Sequence, residues 1–257
     1  MPQRSDRLFS THAYPDLMYL VIPKCGCTFV KNMLWMIDHS GEAHVNPRRV
    51  HDDDTAFLRA TAHGKTDAEI RQSEFAFTVV RDPVERFISL YFDKVIGNGH
   101  RKFVPLRAVL AADHRLNISA ATAQEHRENC KILIGWIKRN LKGKSELKPD
   151  AHWTPILWRR DMMTHFDLKL LPLGGLDRRL KVLLGGYVPR IDEIVGSSER
   201  YQSARLVARR DLLDPELREM ILATYHGDTK LTSSVWDYWT EHKPQCAAEI
   251  PRAGQFL

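Results

Sequence analysis

Two segments of the chain share one local plan: a short apolar strand, a tight turn and an amphipathic helix. In the first, an apolar run at 17–22 precedes a turn at 23–28 and apolar residues at helical spacing over 29–37. In the second, an aromatic and β-branched run at 75–80 precedes Asp82-Pro83, an N-cap followed by proline at the first helical position. Strands that alternate with helices pair in parallel through right-handed crossovers. The sequence therefore predicts an α/β fold with a central parallel sheet.

Weaker patterns continue this plan along the chain. The further predicted elements are helices at 120–141 and 176–184, a strand at 166–171 and one or two helices within 205–225. The polar stretch 42–73 is predicted to be a loop with one short helix around 55–62. Because no repeat, low-complexity tract or long Gly/Ser linker interrupts the sequence, we expect a single domain over 1–257.

The composition excludes several classes of protein. Of the 257 residues, 43% are hydrophobic and 27% charged, which is typical of a globular protein and not of a disordered one. No apolar run reaches the roughly 18 residues of a membrane-spanning helix, and residues 1–16 lack the apolar centre of a signal peptide. The four cysteines, with Cys25 and Cys27 one residue apart, match neither a disulfide scaffold nor a zinc site. We expect a cytoplasmic protein with reduced thiols and no metal.

The turn after the first strand has the chemistry of an anion site. Gly26 allows a ligand to approach the backbone, and the first amides of a helix lack intrahelical partners. The helix dipole attracts an anion to this end, and Lys24 and Thr28 could complete the site. The turn is not a Walker A loop, since GxxxxGK[ST] is absent and the lysine precedes the glycine. An ordinary tight turn with a surface lysine remains the alternative.

The turn after the second strand repeats this chemistry. Arg81 ends the strand, and its planar guanidinium matches two oxygens of a phosphate. Ser89 lies two helical turns further on. Ligands of parallel sheets bind at the carboxyl ends of the strands, where both turns lie. Two such turns indicate a ligand with two separated phosphate groups.

Three motifs resemble those of the sulfotransferases that use 3′-phosphoadenosine 5′-phosphosulfate (PAPS), most closely the carbohydrate sulfotransferases of the chondroitin and HNK-1 type. Residues 20–28 resemble their 5′-phosphosulfate loop, and residues 80–94 match their 3′-phosphate motif RDPxxRxxSxYxxK at every fixed position. Residues 150–155 resemble their HWxP segment. Phe166-Asp167 and the pair Tyr225 and Asp228 resemble later landmarks more weakly.

The resemblance implies a P-loop-like three-layer fold, with a motif-bearing core at about 17–231 and tails at 1–16 and 232–257. It implies PAPS as sulfuryl donor and a hydroxyl acceptor, with no metal. The chain lacks the membrane anchor and paired cysteines of the animal enzymes, so the resemblance favours a soluble, bacterial-type member. The residues it assigns to donor binding are Lys24, Cys25, Gly26, Cys27 and Thr28 at the 5′-phosphosulfate, and Arg81 and Ser89 at the 3′-phosphate.

Sulfuryl transfer to a hydroxyl also calls for a general base. Negative charge grows on the departing phosphate, which Lys24 would stabilise as a catalytic residue. Histidine is the usual base near neutral pH, and His152 is favoured because it lies in the HWxP segment after a flexible loop. A structural histidine packed beside Trp153 is the alternative, and His51 and His63 are the next candidates for the base.

Two other classes of function remain open. The net charge of +6 favours anionic partners but does not choose among them. One alternative is a P-loop-type enzyme of nucleotide or phosphate transfer; the other is a non-enzymatic binder of anionic polymers, although the scattered basic residues give no expectation of nucleic acid. The residues that could border a carbohydrate are the arginine pairs 159–160, 178–179 and 209–210 and four tryptophans expected mainly in the core, Trp153, Trp158, Trp236 and Trp239.

Overall fold

The structure, a computed structural model, describes residues 4–51, 57–97, 101–198 and 208–257, with the side chains of 209 and 210 excepted. Its strands are β1 (Leu8–Ser10), β2 (Met18–Leu20), β3 (Leu58–Arg59), β4 (Ala76–Val80) and β5 (Lys169–Pro172). They form one sheet in the order β3-β1-β2-β4-β5. Strands β2, β4 and β5 are parallel, with Leu20 opposite Thr78 and Thr78 opposite Leu170.

The sheet is mixed and not fully parallel, which corrects the predicted fold. Strand β1 runs antiparallel to both β2 and β3. Residues 11–17 alone connect β1 to β2, and a parallel crossover needs a dozen or more residues, so this pair could only form a hairpin. With three residues, β1 is too short to show a hydrophobic period, and it lies in the segment predicted as the N-terminal tail. The α/β class is confirmed.

The described residues also form helices. In chain order they are α1 (Cys27–Asp38), α2 (Asp67–Gln72), α3 (Pro83–Leu90), α4 (Val104–His114), α5 (Ala123–Asn140), α6 (Arg160–His165), α7 (Leu176–Leu184), α8 (Ile191–Ser197), α9 (Arg209–Leu212), α10 (Pro215–Thr224) and α11 (His226–His242). A π-helical segment, Tyr91–Ile96, follows α3 directly. Short 3₁₀ helices span Arg4–Arg7, Pro47–Arg49, Ala60–His63, Arg101–Phe103, Ile156–Arg159, Ala247–Glu249 and Ala253–Gln255.

The described residues form two units, each with its own core. The first takes residues from 1–81, 156–201 and 231–257 and contains the sheet; the second takes residues from 82–155 and 202–230. In the first, β2, β4 and β5 are buried along their whole length, as parallel strands covered on both faces are. In the second, α10 packs against α3 and α5, and the core includes the fully buried Trp136 of α5.

Several predicted boundaries differ from the observed ones. The strand expected at 166–171 begins at Lys169, because Phe166 ends α6 and Asp167 adopts a positive φ of 46°. The helix expected around 55–62 is replaced by β3 and a 3₁₀ turn over its described part, while 52–56 lie outside the described residues. Helix α7 has the predicted bounds.

Candidate functional site

The turn after β2 is shaped by two residues in the left-handed region. Gly26 is the N-cap of α1, with φ 78° and ψ 18°, and Lys24 has φ 68°. A Cβ on Gly26 would lie 2.6 Å from Leu173 Cδ1, closer than packed carbon atoms approach. The backbone angle therefore favours glycine at this position, and a side chain there would also force the end of Leu173 to shift. The first turn of α1 contains no acidic residue, so no side chain opposes an anion at its positive end.

A hydrogen bond joins the two turns that the sequence predicts to bind anions. Arg81 Nη1 donates to the backbone oxygen of Lys24 over 2.9 Å. Because β2 and β4 are parallel neighbours, the turns that follow them lie at the same edge of the sheet. The guanidinium thus reaches the first turn, which the sequence assigned to a separate part of the ligand. Two cationic residues, Lys24 and Arg81, and the start of α1 therefore lie at the same edge of the sheet.

A histidine contacts the same turn from the polar stretch that follows α1. His51 Nε2 lies 2.9 Å from Thr28 Oγ1 and 3.7 Å from Cys27 Sγ. His51, one of the lesser candidates for the base, is therefore a neighbour of the predicted donor loop. His63 lies at the end of a 3₁₀ helix, where its Nε2 is buried and has no hydrogen-bond partner among the described residues.

Beneath the turn, the structure is apolar. Cys25 is fully buried, so its thiol is shielded from solvent, and its backbone N–H donates to Ile22 O over 3.2 Å. Tyr19 is also fully buried, and its hydroxyl has no partner within the described part of the chain. Burial, and then the neighbouring Cys27 and Cys25 thiols, raise the pKa of Tyr19, which stays neutral. Cys25 is therefore a filler of the turn, and Cys27, half-buried at the start of α1, is its outer neighbour.

In the second unit, α3 begins as predicted and carries Arg86 and Ser89 of the motif. Asp82 Oδ1 accepts from the backbone N–H of Glu85 over 2.9 Å, and Pro83 occupies the first position of the helix. Ser89 is half-buried near the end of α3. Arg86 is buried (3% exposed) and donates to the backbone oxygens of Ala151 and Thr154, each over 2.9 Å. Arg86 therefore holds the HWxP segment in place.

The HWxP segment presents a histidine paired with a carboxylate. His152 Nδ1 lies 2.6 Å from Asp150 Oδ1, and Lys102 Nζ lies 2.9 Å from Asp150 Oδ2. The ring of Phe103 meets His152 edge to face at a centroid distance of 4.9 Å. Lys94, a fixed residue of the motif, is buried and lies 5.1 Å from the centroid of Phe103. The His152–Asp150 pair therefore lies against the aromatic ring of Phe103 and near two lysines, Lys94 and Lys102.

Electrostatics fix the protonation states of this pair. Burial opposes ionisation of Asp150, but hydrogen bonds from the His152 side chain and backbone and from Lys102 outweigh it and lower the pKa of Asp150. An ionised carboxylate only accepts hydrogen bonds, so we assign the proton to His152 Nδ1, which leaves Nε2 as the acceptor. Burial also lowers the pKa of His152, and Asp150 opposes that effect in part. His152 is thus a neutral imidazole at physiological pH, and its Nε2 can accept a proton.

The neighbouring tryptophan has a structural role. Trp153 is 4% exposed, and its indole N–H donates to Asn140 Oδ1 over 2.6 Å. Tyr225, one of the weaker landmarks, donates from its hydroxyl to the backbone oxygen of Trp153 over 2.8 Å. The prediction that Trp153 belongs to the core is confirmed, whereas Trp158 (56% exposed) and Trp236 (47% exposed) are not core residues.

The predicted residues thus fall into two groups. Lys24, Cys25, Gly26, Cys27, Thr28 and Arg81 lie in the first unit, where His51 joins them; Ser89 and His152 lie in the second. Sequence reasoning gave Asp150 no role, although an aspartate two residues before a histidine is the signal that could have revealed it. Among the described residues, no group of His, Cys, Asp and Glu could hold a metal ion. No helix in the same ranges has the length and apolar character needed to cross a bilayer.

Comparison with known proteins gives one match. A model of the sulfotransferase family matches residues 6–231, which is most of the chain and includes both turns and the HWxP segment. No curated protein and no solved structure matches the chain significantly.

Proposed function

Since the chain belongs to the sulfotransferase family, we propose that it transfers a sulfuryl group from PAPS to a hydroxyl of a carbohydrate or glycolipid. Family membership makes the protein a transferase that acts on an acceptor hydroxyl. The donor, the acceptor class, the closeness to the chondroitin and HNK-1 type, the soluble bacterial type and the cytoplasmic location belong to the proposal.

The hydrogen bond from Arg81 to Lys24 O is the observation that carries the donor assignment. PAPS is anionic at its 5′-phosphosulfate and at its 3′-phosphate, and the residues at this edge of the sheet fit such a molecule. Arg81 supplies a guanidinium, Lys24 an ammonium and Thr28 a hydroxyl. The N-terminus of α1 carries no side chain at its N-cap, because that residue is Gly26. Lys24, Gly26, Cys27 and Thr28 would hold the 5′-phosphosulfate, with the buried Cys25 shaping the loop between them. Arg81 and Ser89 would hold the 3′-phosphate.

In the proposed reaction, Lys24 would stabilise negative charge and His152 would accept a proton. PAPS supplies the SO₃ group: its bond to the phosphate oxygen breaks as the acceptor oxygen bonds to sulfur. Lys24 would stabilise the negative charge left on the phosphate, as fixed donors aimed at a developing oxyanion do. The acceptor hydroxyl would lose its proton to His152 Nε2, whose basicity Asp150 supports from the other side of the ring.

His51 is the competing candidate for the base. Its Nε2 contacts Thr28 in the donor loop, so it lies beside the proposed 5′-phosphosulfate site. His152 is favoured because an ionised carboxylate orients its ring, which is the arrangement that general bases of the histidine type use. Mutation distinguishes the two assignments, because removal of the base should lower the rate roughly 10²- to 10⁴-fold.

Two alternatives define the outcomes of the test. A P-loop-type phosphate-transfer enzyme would prefer ATP with magnesium, although the Walker spacing is absent from the sequence. A non-enzymatic binder of anionic polymers would transfer no group and would lose affinity steeply with salt. Incubation of the protein with ³⁵S-labelled PAPS, or with γ-³²P-labelled ATP and Mg²⁺, over a panel of glycans, glycolipids and phenols separates all three. Labelled sulfate on a glycan or glycolipid supports the proposal, whereas ³²P transfer or no transfer contradicts it.

A further inference from the structure

A π-helical turn directly follows α3, and a glycine closes it. The backbone N–H of Gly97 donates to Phe92 O, five residues back, over 3.0 Å. A Cβ on Gly97 would lie 2.7 Å from Asp93 O and 2.9 Å from Phe92 O, so a side chain there would push the backbone of the turn apart. Such turns are rare in proteins and frequently lie at functional sites.

An arginine of α4 binds the end of this turn. Arg107 Nη1 donates to Lys94 O and to Gly97 O, each over 3.3 Å. The last carbonyls of a helix have no intrahelical partner, and here the guanidinium supplies one. The turn is thus held by Arg107 as well as by its own backbone hydrogen bonds.

The turn places a lysine inside the second unit. Lys94 is buried, and its Nζ lies 3.0 Å from Asp93 Oδ2. Lysine is rarely buried unless it is paired, because burial of an ammonium costs free energy. Lys94 is also a fixed residue of the motif at 80–94, yet the proposed reaction leaves it without a role.

One aromatic ring contacts both Lys94 and the proposed base. Phe103 is buried, and the centroid of its ring lies 4.9 Å from that of His152 and 5.1 Å from Lys94 Nζ. A buried ring excludes water, and charges interact more strongly where the dielectric constant is low. The charge of Lys94 therefore acts on the imidazole with little screening.

The charges that face His152 oppose one another. Asp150 favours the protonated imidazole, whereas Lys94 and Lys102 disfavour it and, after burial, lower the pKa of His152. The Lys102 side chain is 67% exposed and paired with Asp150, while that of Lys94 is only 9% exposed, so solvent screens Lys94 less. Two further charged residues of this region are Asp93, the partner of Lys94, and Arg86, which binds the backbone of the HWxP segment.

We propose that Lys94 is a positioning residue for His152: the π-helical turn holds its charge beside Phe103, where that charge keeps the imidazole unprotonated. This inference rests on the proposed function, in which His152 Nε2 must be free to take the proton of the acceptor hydroxyl. Asp150 orients the ring but also favours its protonation, and Lys94 offsets that second effect. The buried lysine of the motif thus acts through the base, without contact to either substrate.

The test is an NMR titration of the histidine side chains in the full-length protein without ligand, with the His152 signal assigned by its absence from His152→Gln. Lys94→Met removes the charge at similar side-chain length, and Lys94→Arg keeps it. Gly97→Ala disturbs the π-helical turn without removing a charge. The matched control is Lys138→Met, at an exposed lysine of α5 in the same unit. The pH dependence of sulfate transfer from labelled PAPS is measured for each variant.

We expect His152 to become protonated at a higher pH in Lys94→Met and Gly97→Ala than in the wild type, and at the wild-type pH in Lys94→Arg and Lys138→Met. The fall in activity on the acid side should move to higher pH in the same two variants. An unshifted His152 titration in Lys94→Met, or an equal shift in Lys138→Met or Lys94→Arg, would overturn the inference. If Lys94→Met fails to fold, Gly97→Ala decides the outcome.

Failure of the proposed function has a different signature. A wild type that does not bind 3′-phosphoadenosine 5′-phosphate (PAP), the desulfated donor, or that transfers no sulfate from PAPS contradicts the proposed function. The NMR titration uses neither molecule, so it decides independently whether Lys94 sets the protonation of His152.

Discussion

The guanidinium of Arg81 donates a hydrogen bond to the backbone oxygen of Lys24 across 2.9 Å, and so joins the two turns that follow β2 and β4. Lys24 has a positive φ, which costs a residue with a side chain about 1 kcal/mol or more, and such backbone strain concentrates at functional sites. The hydrogen bond therefore helps to hold a strained turn in one conformation. In the proposed donor site, Arg81 would act on the bound anion both directly and through the shape of the loop.

Replacement of Arg81 by alanine separates these two roles. We expect Arg81→Ala to weaken PAP binding about 100-fold, because a charge-assisted pair of hydrogen bonds is lost, and to lower the free energy of unfolding by only about 1 kcal/mol. Calorimetric titration with PAP and with AMP, which lacks the 3′-phosphate, measures the effect. A larger loss for PAP than for AMP supports contact with the 3′-phosphate, whereas equal losses assign Arg81 to loop support alone.

Lys24→Ala should act on the rate more than on binding. Loss of a donor aimed at the departing phosphate costs on the order of 10²- to 10³-fold in rate, about 3–4 kcal/mol, and thermal unfolding should stay nearly unchanged. Initial rates with labelled PAPS give the result, with Lys138→Ala on the exposed face of α5 as the control. Full activity of Lys24→Ala would refute its catalytic assignment.

Two glycines with positive φ allow the close packing at the donor loop to be isolated. Gly26 and Gly41 have φ of 78° and 95°, but a Cβ would meet Leu173 at 2.6 Å in the first and nothing within 4 Å in the second. Both alanine variants should lose stability through the backbone angle, roughly 1 kcal/mol each. Only Gly26→Ala should also lose PAP binding, by at least tenfold in calorimetry. A Gly41→Ala variant with the same loss would show that the packing at Leu173 is irrelevant.

The pH profile tests His152 as the base. As the proposed base, His152 must be neutral, so activity should fall as the pH drops through the pKa of that residue. Because burial lowers this pKa, the fall should occur below the ordinary histidine value of about 6.5. Asp150 raises the pKa and Lys102 lowers it, so Asp150→Asn should move the fall to lower pH and Lys102→Ala to higher pH.

Alanine variants of His152 and His51 show which of the two histidines is the base. His152→Ala should lose roughly 10²- to 10⁴-fold in kcat with labelled PAPS. Activity above a tenth of the wild type, or a pH profile that Asp150→Asn and Lys102→Ala leave unmoved, would contradict the assignment. His51→Ala is then the variant in which the loss should appear.

Local signals in the sequence predicted the parts of this structure that local forces determine. The Asp82-Pro83 start of α3 and the bounds of α7 follow from capping and helical spacing, which act within a few residues. The positions of both turns at strand ends follow from the α/β plan. The antiparallel strand β1 could not be predicted in this way, because its three residues show no hydrophobic period and its pairing with β3 depends on tertiary contact.

The chemistry of the candidate site was predictable only in its residue types. The sequence indicated Lys24 and Arg81 as anion-binding residues, but the hydrogen bond between them depends on the register of β2 and β4. Likewise, helices α4 and α5 separate Lys102 from Asp150 in the chain, and nothing local marks the two residues as partners. Trp236 is a large aromatic residue of a type usually found in the core, but at its position on α11 it is exposed.

Calorimetric titration of the wild-type chain with PAP, AMP and ATP with Mg²⁺ tests the central claim most directly. The account predicts one PAP bound per chain and an affinity for AMP at least 100-fold lower, since two anion turns hold the two phosphate ends of one molecule. ATP with Mg²⁺ should bind more weakly than PAP. An affinity for AMP or ATP that equals or exceeds that for PAP, or no binding of PAP, would contradict it.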